Sequence, residues 1–131
     1  MLSHKVRCAI VLIASTVSRP VLADVPSASR AAGDPAHGKA VYAVCMGCHS
    51  LDENDVGPKH RGVIGRVAGS VPGYAYSQAL KDSGITWNQE TLDRWLANPQ
   101  KFVPGVKMFF AMPNEKDRAD VIAYLSEQQS R

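Results

Sequence analysis

Cys45-Met46-Gly47-Cys48-His49 has the C-x-x-C-H spacing that is typical of covalent haem attachment. Two thiols three positions apart can add to the two vinyl groups of one porphyrin. The adjacent imidazole of His49 then lies where a ring nitrogen can ligate the iron. The pattern therefore predicts one covalent haem c, bound through Cys45 and Cys48, with His49 as an axial ligand.

A C-x-x-C pair can also bind zinc or act as a redox dithiol. Zinc needs two further ligands, and the only other cysteine, Cys8, lies in a segment that we expect to be removed. A thioredoxin-like pair needs a βαβ context, which the sequence around the pair does not have. Haem attachment is the interpretation that fits both the spacing and the context.

The N-terminus has the pattern of a secretory signal. Positive charge at Lys5 and Arg7 precedes a short apolar run, and Val21-Leu22-Ala23 provides a small-residue cleavage site. The apolar run is far shorter than the roughly 20 residues that a membrane-spanning helix needs. We therefore expect a signal peptide over residues 1–23, cleaved after Ala23, and export to the periplasm. A retained anchor is the alternative, since Arg19 is unusual so near a cleavage site.

Removal of this segment changes the charge balance. The 131 residues carry a formal charge of +3, from 15 Lys and Arg against 12 Asp and Glu. Three basic residues precede Ala23 and every acidic residue follows it, so the remaining chain is neutral. A neutral chain argues against nucleic-acid binding, which needs a basic excess. Its length permits one small domain with a marginal apolar core, so we expect the haem-free chain to be largely unfolded.

The first part of the mature chain predicts a lead-in, a helix and a long loop. Residues 24–33 are small and polar and predict a flexible lead-in, with the domain itself over residues 34–131. Asp34 as N-cap and Pro35 at the first helical position predict a helix that reaches the attachment motif. Glycine recurs over residues 50–72 without a helical period, which predicts a loop folded over the haem.

The rest of the chain predicts further helices and a second loop. A short helix is expected over residues 77–83, and Thr86 with Gln89 forms a capping-box pattern for the next helix. Residues 99–113 predict a second irregular segment. The last helix is expected to begin at Asn114, and its apolar stripe contains Val121, Ile122, Tyr124 and Leu125. The whole pattern predicts a small, single-domain, all-α fold.

The second axial position has five candidates by residue type, namely Met46, Met108, Met112, His37 and His60. Met46 is too close to its own tether to cross the ring. His37 lies in the first helix, where most lone histidines are solvated or packed. Met108 and Met112 share a Pro/Gly-bounded loop that can be stiff without being helical, although methionine more often fills a core. Spacing alone does not choose between these two.

From Gly33 to about Gln129 the sequence resembles the class I, mitochondrial-type soluble cytochromes c, whose bacterial members work in the periplasm. The matching segments, in the family's order, are CMGCH, GPKHRGVIGR, PGYAYS, SGITW, ETLDRWLANP, PGVKMFFA and DVIAYL. The resemblance implies a cytochrome c fold around one covalent haem. It also implies a one-electron carrier rather than an enzyme.

The resemblance implies roles for individual residues. Met108 would be the distal iron ligand, with Met112 beside the pocket. Pro58 would accept a hydrogen bond from the second nitrogen of His49 and so fix the orientation of the imidazole. The residues implied to hydrogen-bond the haem propionates are Arg66, Tyr76 and Trp87.

Other matched positions concern packing. Gly38 would let the first and last helices cross closely, beside the pair Tyr42 and Tyr124. Where family members commonly place Asn, Thr and Tyr around a buried water, this sequence has Leu80, Val106 and Trp95. A drier pocket disfavours the extra charge of ferric haem, which predicts a raised reduction potential.

Charged residues suggest how partners could dock. The turn after His49 is acidic, either as a solvated turn or as a docking feature. A basic rim of Lys59, Arg61, Lys101 and Lys107 would steer the chain onto acidic partners, weakly because the net charge is zero. The expected partners are a quinol:cytochrome c reductase, a terminal oxidase or a periplasmic dehydrogenase. We expect a monomer with no nucleic acid and no stable membrane anchor.

Two alternative functions stay open at this point. A ligand-binding haem protein, as a gas sensor or weak peroxidase, requires that Met108 be absent from the iron or displaced, for example by Lys107. A haem subunit of a larger enzyme would be favoured by an exposed apolar patch around Phe102, Phe109 and Phe110.

Overall fold

The computed structural model describes residues 32–129, and over this range it has five α-helices joined by loops and no strand. An isolated antiparallel bridge joins Val67 and Thr86. The all-α prediction is confirmed. The predicted signal peptide and most of the lead-in lie outside the described residues. The helices are α1 (Pro35–Tyr42), α2 (Gln78–Lys81), α3 (Gln89–Ala97), α4 (Pro99–Phe102) and α5 (Glu115–Glu127), with a turn of 3-10 helix at Cys45–Gly47.

The outer helices begin at the predicted caps. The Asp34 side chain accepts hydrogen bonds from the amides of Ala36 at 2.9 Å and His37 at 3.2 Å, and Pro35 is the first helical residue. At the start of α5 the Asn114 side chain accepts the amide of Asp117 at 3.1 Å. Each cap satisfies backbone donors that a helix leaves without an internal partner. Both predictions are confirmed.

The predicted capping box at Thr86 and Gln89 is wrong. The box that caps α3 is formed by Asn88 and Thr91, whose side chains each accept the other's amide at 2.8 Å. Thr86 is engaged elsewhere, because it pairs with Val67 in the isolated bridge. This long-range pairing keeps the backbone before Asn88 out of the helix, a contact that a local pattern cannot reveal.

The expectation that residues 99–113 are wholly irregular is also wrong. Their first four residues form α4, because the Asn98 side chain accepts the amide of Lys101 at 2.9 Å and Pro99 fits the first helical position. The remainder of the segment is irregular, as predicted. The helix expected over residues 77–83 is present in shorter form as α2.

Helices α1 and α5 cross at a backbone contact. A Cβ added at Gly38 would lie 1.9 Å from the carbonyl oxygen of Asp120, and one added at Gly33 would lie 2.1 Å from that of Ala119. Only glycine permits this approach, so the expectation for Gly38 is confirmed. The rings of Tyr42 and Tyr124 pack beside the crossing with centroids 5.3 Å apart, also as expected.

A buried carboxylate joins the same two helices. The Asp120 side chain is 2% exposed, accepts the amide of Asp34 at 2.8 Å and lies 2.7 Å from His37 Nδ1. Lys116, one turn earlier on α5, also donates to it. The Lys116 ammonium, followed by the Asp34 amide, lowers the pKa of Asp120 from 3.8 to about 2. The crossing therefore combines close packing with a fully partnered buried charge.

Helix α3 is fixed against α5 by a second buried ion pair. Arg118 Nε donates to Asp93 Oδ1 at 2.8 Å, and Arg118 Nη1 donates to the carbonyls of Met112 and Pro113, each at 2.9 Å. One guanidinium thus joins α3, α5 and the end of the second loop. The apolar core lies between these helices and the loops, and one side of it borders a cavity.

Candidate functional site

An apolar cavity of about 480 Å³ lies between the first loop, α3 and the second loop. This volume is within the usual range for small-molecule and cofactor sites. Its walls come from the attachment motif, from both loops and from α2, α3 and α5, and most of the lining side chains are apolar. Those that belong to the buried core are Val63, Val71, Leu80, Trp87, Leu92, Trp95, Leu96, Val106, Val121 and Leu125.

The attachment motif forms one edge of this cavity. After α1 the chain tightens into a 3-10 turn, in which the amides of Cys48 and His49 donate to the Cys45 carbonyl at 3.1 and 2.9 Å. This turn places the side chains of Cys45, Cys48 and His49 on the cavity wall. Cys45 is half-buried, and in the haem-free chain burial raises the pKa of its thiol to about 11.

His49 is fixed by contacts on more than one side. Its Nδ1 donates to the carbonyl of Pro58 at 2.8 Å, which leaves Nε2 as the nitrogen that can bind a metal. Gly57 makes room for the ring, because a Cβ there would lie 2.1 Å from His49 Cε1. Burial lowers the pKa of His49, which favours the neutral, ligating form. The Pro58 contact implied by the sequence resemblance is therefore present.

His60 lies against His49, not across the cavity from it. The two imidazoles stack with centroids 4.0 Å apart and an interplanar angle of 23°. His60 Nδ1 lies 3.1 Å from the hydroxyl of Tyr42. Burial, with smaller contributions from His49 and Arg66, lowers the pKa of His60 to about 3. The sequence gives His60 only as a candidate for the second axial position, so its contact with His49 is a finding of the structure.

The second loop brings one methionine to the cavity and buries the other elsewhere. Met108 lines the cavity, whereas Met112 is 5% exposed, packs in the core and is not among the lining residues. Gln100, which the sequence did not single out, donates to the carbonyls of Val106 at 2.7 Å and Met108 at 3.0 Å. Lys107 donates to the carbonyl of Ala75 at 2.6 Å. The loop around Met108 is thus held from both sides.

The three residues expected to contact propionates, Arg66, Tyr76 and Trp87, all line the cavity. The guanidinium of Arg66 donates hydrogen bonds to three backbone carbonyls of the first loop, those of Lys59 at 3.0 Å, His60 at 3.2 Å and Arg61 at 3.1 Å. Burial lowers the pKa of Arg66 and raises that of Tyr76. The propionate contacts stay a prediction, and Arg66 has the further role of ordering the first loop.

Of the four residues expected to form a basic rim, two line the cavity, namely Lys59 and Lys107. Arg61 instead forms a two-point ion pair with Asp52 of the acidic turn, through Nε–Oδ1 at 2.5 Å and Nη2–Oδ2 at 3.0 Å. Lys101 is exposed on α4, away from the lining.

The residues of this cavity fit a covalently bound haem. Two cysteines and a histidine with a free Nε2 stand on one wall, a thioether belongs to the same lining, and the remaining walls are mainly apolar. A Cβ at Gly57 would overlap the imidazole of His49. The described residues contain no cluster of three His, Cys, Asp or Glu side chains that could hold another metal. Within residues 32–129 there is also no helix long and apolar enough to cross a membrane.

The fold and the cavity together define a small, all-α, c-type haem protein. The model of the family described as Cytochrome c matches residues 35–129. The chain belongs to the cytochrome c family, and within it to the class I cytochromes of bacterial type.

The relatives and solved structures agree with this placement. Cytochrome c2 of Rhodomicrobium vannielii is 48% identical over 105 residues, which cover 77% of this chain and 84% of the relative. Cytochrome c2 of Rhodoblastus acidophilus is 47% identical over 100 residues, 73% of this chain and 94% of the relative. The structure of cytochrome cH from Methylobacterium extorquens superposes with a TM-score of 0.70 at 48% identity, covering 72% of this chain and 99% of that one. This chain is accordingly an electron-transfer protein that binds one covalent haem c.

Proposed function

We propose that Cys45 and Cys48 bind the haem through thioether bonds and that His49 and Met108 are the two axial ligands of its iron. The observation that carries the proposal is that these four side chains line one apolar cavity. The free Nε2 of His49 and the location of Met112 outside the lining support the choice of ligands. In this account the chain is a one-electron carrier with no coordination position for a substrate.

The protein's part in electron transfer is to hold two ligands in one arrangement. When bound, the haem supplies the iron that takes up and releases the electron. The Pro58 carbonyl fixes the imidazole of His49, and Gln100 fixes the backbone on both sides of Lys107 and so the approach of Met108. Preorganised groups need little rearrangement when the charge changes. The apolar walls exclude water, whose reorientation would otherwise add to that cost.

Three apolar residues bear on the reduction potential. Leu80, Val106 and Trp95 are all buried and all line the cavity, at the positions where the sequence predicted a drier pocket. The side chains of Leu80 and Val106 have no hydrogen-bonding group, and apolar surroundings of this kind disfavour the more highly charged ferric state. We therefore propose that these side chains raise the reduction potential.

We further infer that the carrier works in the periplasm. This rests on the export pattern over residues 1–23, with a mature chain beginning at Asp24 and a haem domain over residues 34–131. Its redox partners in this proposal are a quinol:cytochrome c reductase, a terminal oxidase or a periplasmic dehydrogenase. The mass of the exported protein tests the cleavage site, and export with residues 1–23 retained would favour the anchor.

Docking should depend only weakly on salt. Lys59 and Lys107 stand at the cavity, while the charge of Arg61 is paired with Asp52. Few free cations give little long-range attraction to an acidic partner. A steep fall of the electron-transfer rate with ionic strength would contradict this.

The ligand assignment is tested by Met108→Ala and its matched control Met112→Ala, both as haem-loaded protein. Met108→Ala is expected to lose the weak absorption band of a ferric iron–sulfur bond and to bind carbon monoxide readily when ferrous. Met112→Ala should keep the band, although removal of a buried methionine costs about 2–5 kcal/mol of stability. Loss of the band in Met112→Ala alone would move the assignment to Met112.

A further inference from the structure

A polar and aromatic chain connects the helix crossing with His49. Tyr124 on α5 packs on Tyr42 at the end of α1, with ring centroids 5.3 Å apart. The Tyr42 hydroxyl lies 3.1 Å from His60 Nδ1, and the His60 ring stacks on His49. The electron-carrier function described above uses only the contact of His49 with Pro58, so the contacts from Tyr124 through Tyr42 and His60 to His49 have no role in it.

Both members of the chain next to His49 are firmly placed. Tyr42 is 3% exposed, and its ring is wedged between Tyr124 and His60. His60 is fixed through its backbone, because its amide donates to the Ser50 carbonyl at 2.9 Å and its own carbonyl accepts Arg66 Nη2 at 3.2 Å. Neither ring can turn without breaking a contact that is already made.

The contact between the two imidazoles supplies what the Pro58 bond lacks. A single hydrogen bond to Nδ1 fixes one edge of the His49 ring but lets the plane tilt about the line from Nδ1 to the Pro58 oxygen. A second ring, 4.0 Å away and 23° from parallel, restricts that tilt on one face. The His60 ring can do this only if its own rotation is fixed, and the hydrogen bond between its Nδ1 and the Tyr42 hydroxyl fixes that rotation.

We propose that Tyr42 and His60 are a positioning pair that sets the plane of the His49 imidazole. The proposal rests on the proposed role of His49 as an axial ligand. The Tyr42 hydroxyl orients His60, and the His60 ring orients His49. Because orbital overlap between an imidazole and its metal depends on the plane of the ring, the pair also sets how the unpaired electron of the ferric protein is distributed. The crossing of α1 and α5 is thereby coupled to the electronic structure of the site.

The test is proton NMR of ferric, haem-loaded protein carrying isotope-labelled histidine. Resonances of a ligating imidazole are strongly shifted by the unpaired electron, and the spread of the haem methyl resonances follows the ligand plane. Tyr42→Phe removes one hydroxyl and keeps the ring. His60→Leu removes the stacked ring. Tyr124→Phe is the matched control, since it deletes a hydroxyl from the same aromatic group but leaves the Tyr42–His60 contact in place.

We expect Tyr42→Phe to change the spread of the haem methyl resonances, His60→Leu to change it more, and Tyr124→Phe to leave it as in the wild type. Wild-type spectra in both Tyr42→Phe and His60→Leu would overturn the proposal. Equal changes in Tyr42→Phe and Tyr124→Phe would also overturn it, because the effect would then come from general loosening of the core. Failure of the axial role is distinguishable, since the wild type would then show no shifted signal from His49.

Discussion

The two halves of the molecule are built on different principles. At the crossing of α1 and α5, backbone meets backbone at Gly38, and the buried Asp120 is fully partnered by groups of the same two helices. Around the cavity, the chain is mostly loop, and its order comes from side chains that reach carbonyls, such as Arg66 in the first loop and Gln100 in the second. The crossing is filled by the protein, whereas the loops surround a space that the cofactor fills.

The two halves therefore differ in what stabilises them. The crossing needs only the chain itself to satisfy its packing and its charges, so it can define the geometry of the fold. The loop half exposes apolar walls to a cavity of about 480 Å³, so its stability depends on what occupies that volume. The chain from Tyr42 through His60 to His49 is where the two halves meet.

The largest expected effect comes from removing the cofactor. A Cys45→Ser and Cys48→Ser double variant cannot form the thioether bonds, so the loop half loses its core. We expect the haem-free chain to lose most of its helicity. The loss of stability is then comparable to the whole free energy of unfolding of a small domain, roughly 5–15 kcal/mol. Far-ultraviolet circular dichroism measures this. Native helicity without haem would mean that the crossing of α1 and α5 alone stabilises the fold, and it would contradict the dependence of the loop half on the cofactor.

A methyl group at the crossing should have the next largest effect. Gly38→Ala places a Cβ 1.9 Å from a backbone oxygen of α5, which cannot move aside as a flexible side chain would. We expect a loss of about 3 kcal/mol in denaturant unfolding of the haem-loaded protein. Gly47→Ala is the control, because its Cβ would meet nothing within 4 Å and should cost less than about 0.5 kcal/mol. Equal losses would show that the crossing is not tightly packed.

Acid should weaken the crossing through Asp120. Its pKa falls from 3.8 to about 2 on folding, so the unfolded chain binds the proton more readily. The stabilisation is complete above about pH 4 and disappears as the pH falls through about 2. We expect Asp120→Asn to be less stable than the wild type at neutral pH, with the difference shrinking across that window. A difference that is constant with pH would contradict the role of the charge.

The smallest expected effect is in the loop half and concerns the reduction potential. Leu80→Asn with Val106→Thr introduces polar groups into the dry wall and should lower the potential of the haem-loaded protein. About 1 kcal/mol of preferential stabilisation of the ferric charge corresponds to about 40 mV for a one-electron couple. Leu80→Met is the control, since it keeps the wall apolar at similar volume and should leave the potential unchanged. An unchanged potential in the double variant would count against the dry-pocket explanation.

Local signals in the sequence predicted much of the fold. The caps at Asp34 and Asn114 act within one helical turn, so residue type and spacing are enough to locate them. The capping box at Asn88 and Thr91 was missed because the bridge of Thr86 to Val67 spans 19 residues of sequence and overrides the local pattern. Interactions within a turn are readable from local sequence, whereas pairings across the fold, such as that of Gly38 with α5, were predicted only where the family resemblance implied them.

Some residues of the site can be predicted from local sequence, and others cannot. The attachment motif identifies Cys45, Cys48 and His49 by spacing alone, while spacing does not choose between Met108 and Met112, which share one irregular segment and of which only Met108 lines the cavity. The Tyr42 hydroxyl lies on a helix and His60 in a loop, so their contact depends on the completed fold. No pattern within either segment indicates it.

Coordination of the iron by both His49 and Met108 can be tested by exposing the ferrous, haem-loaded wild-type protein to carbon monoxide and recording its absorption spectrum at neutral pH. If His49 and Met108 occupy both axial positions, carbon monoxide finds no free position and the spectrum stays unchanged. Rapid and tight binding of carbon monoxide would mean that the iron is open or easily exposed. That result would contradict the electron-carrier account and favour a ligand-binding haem protein.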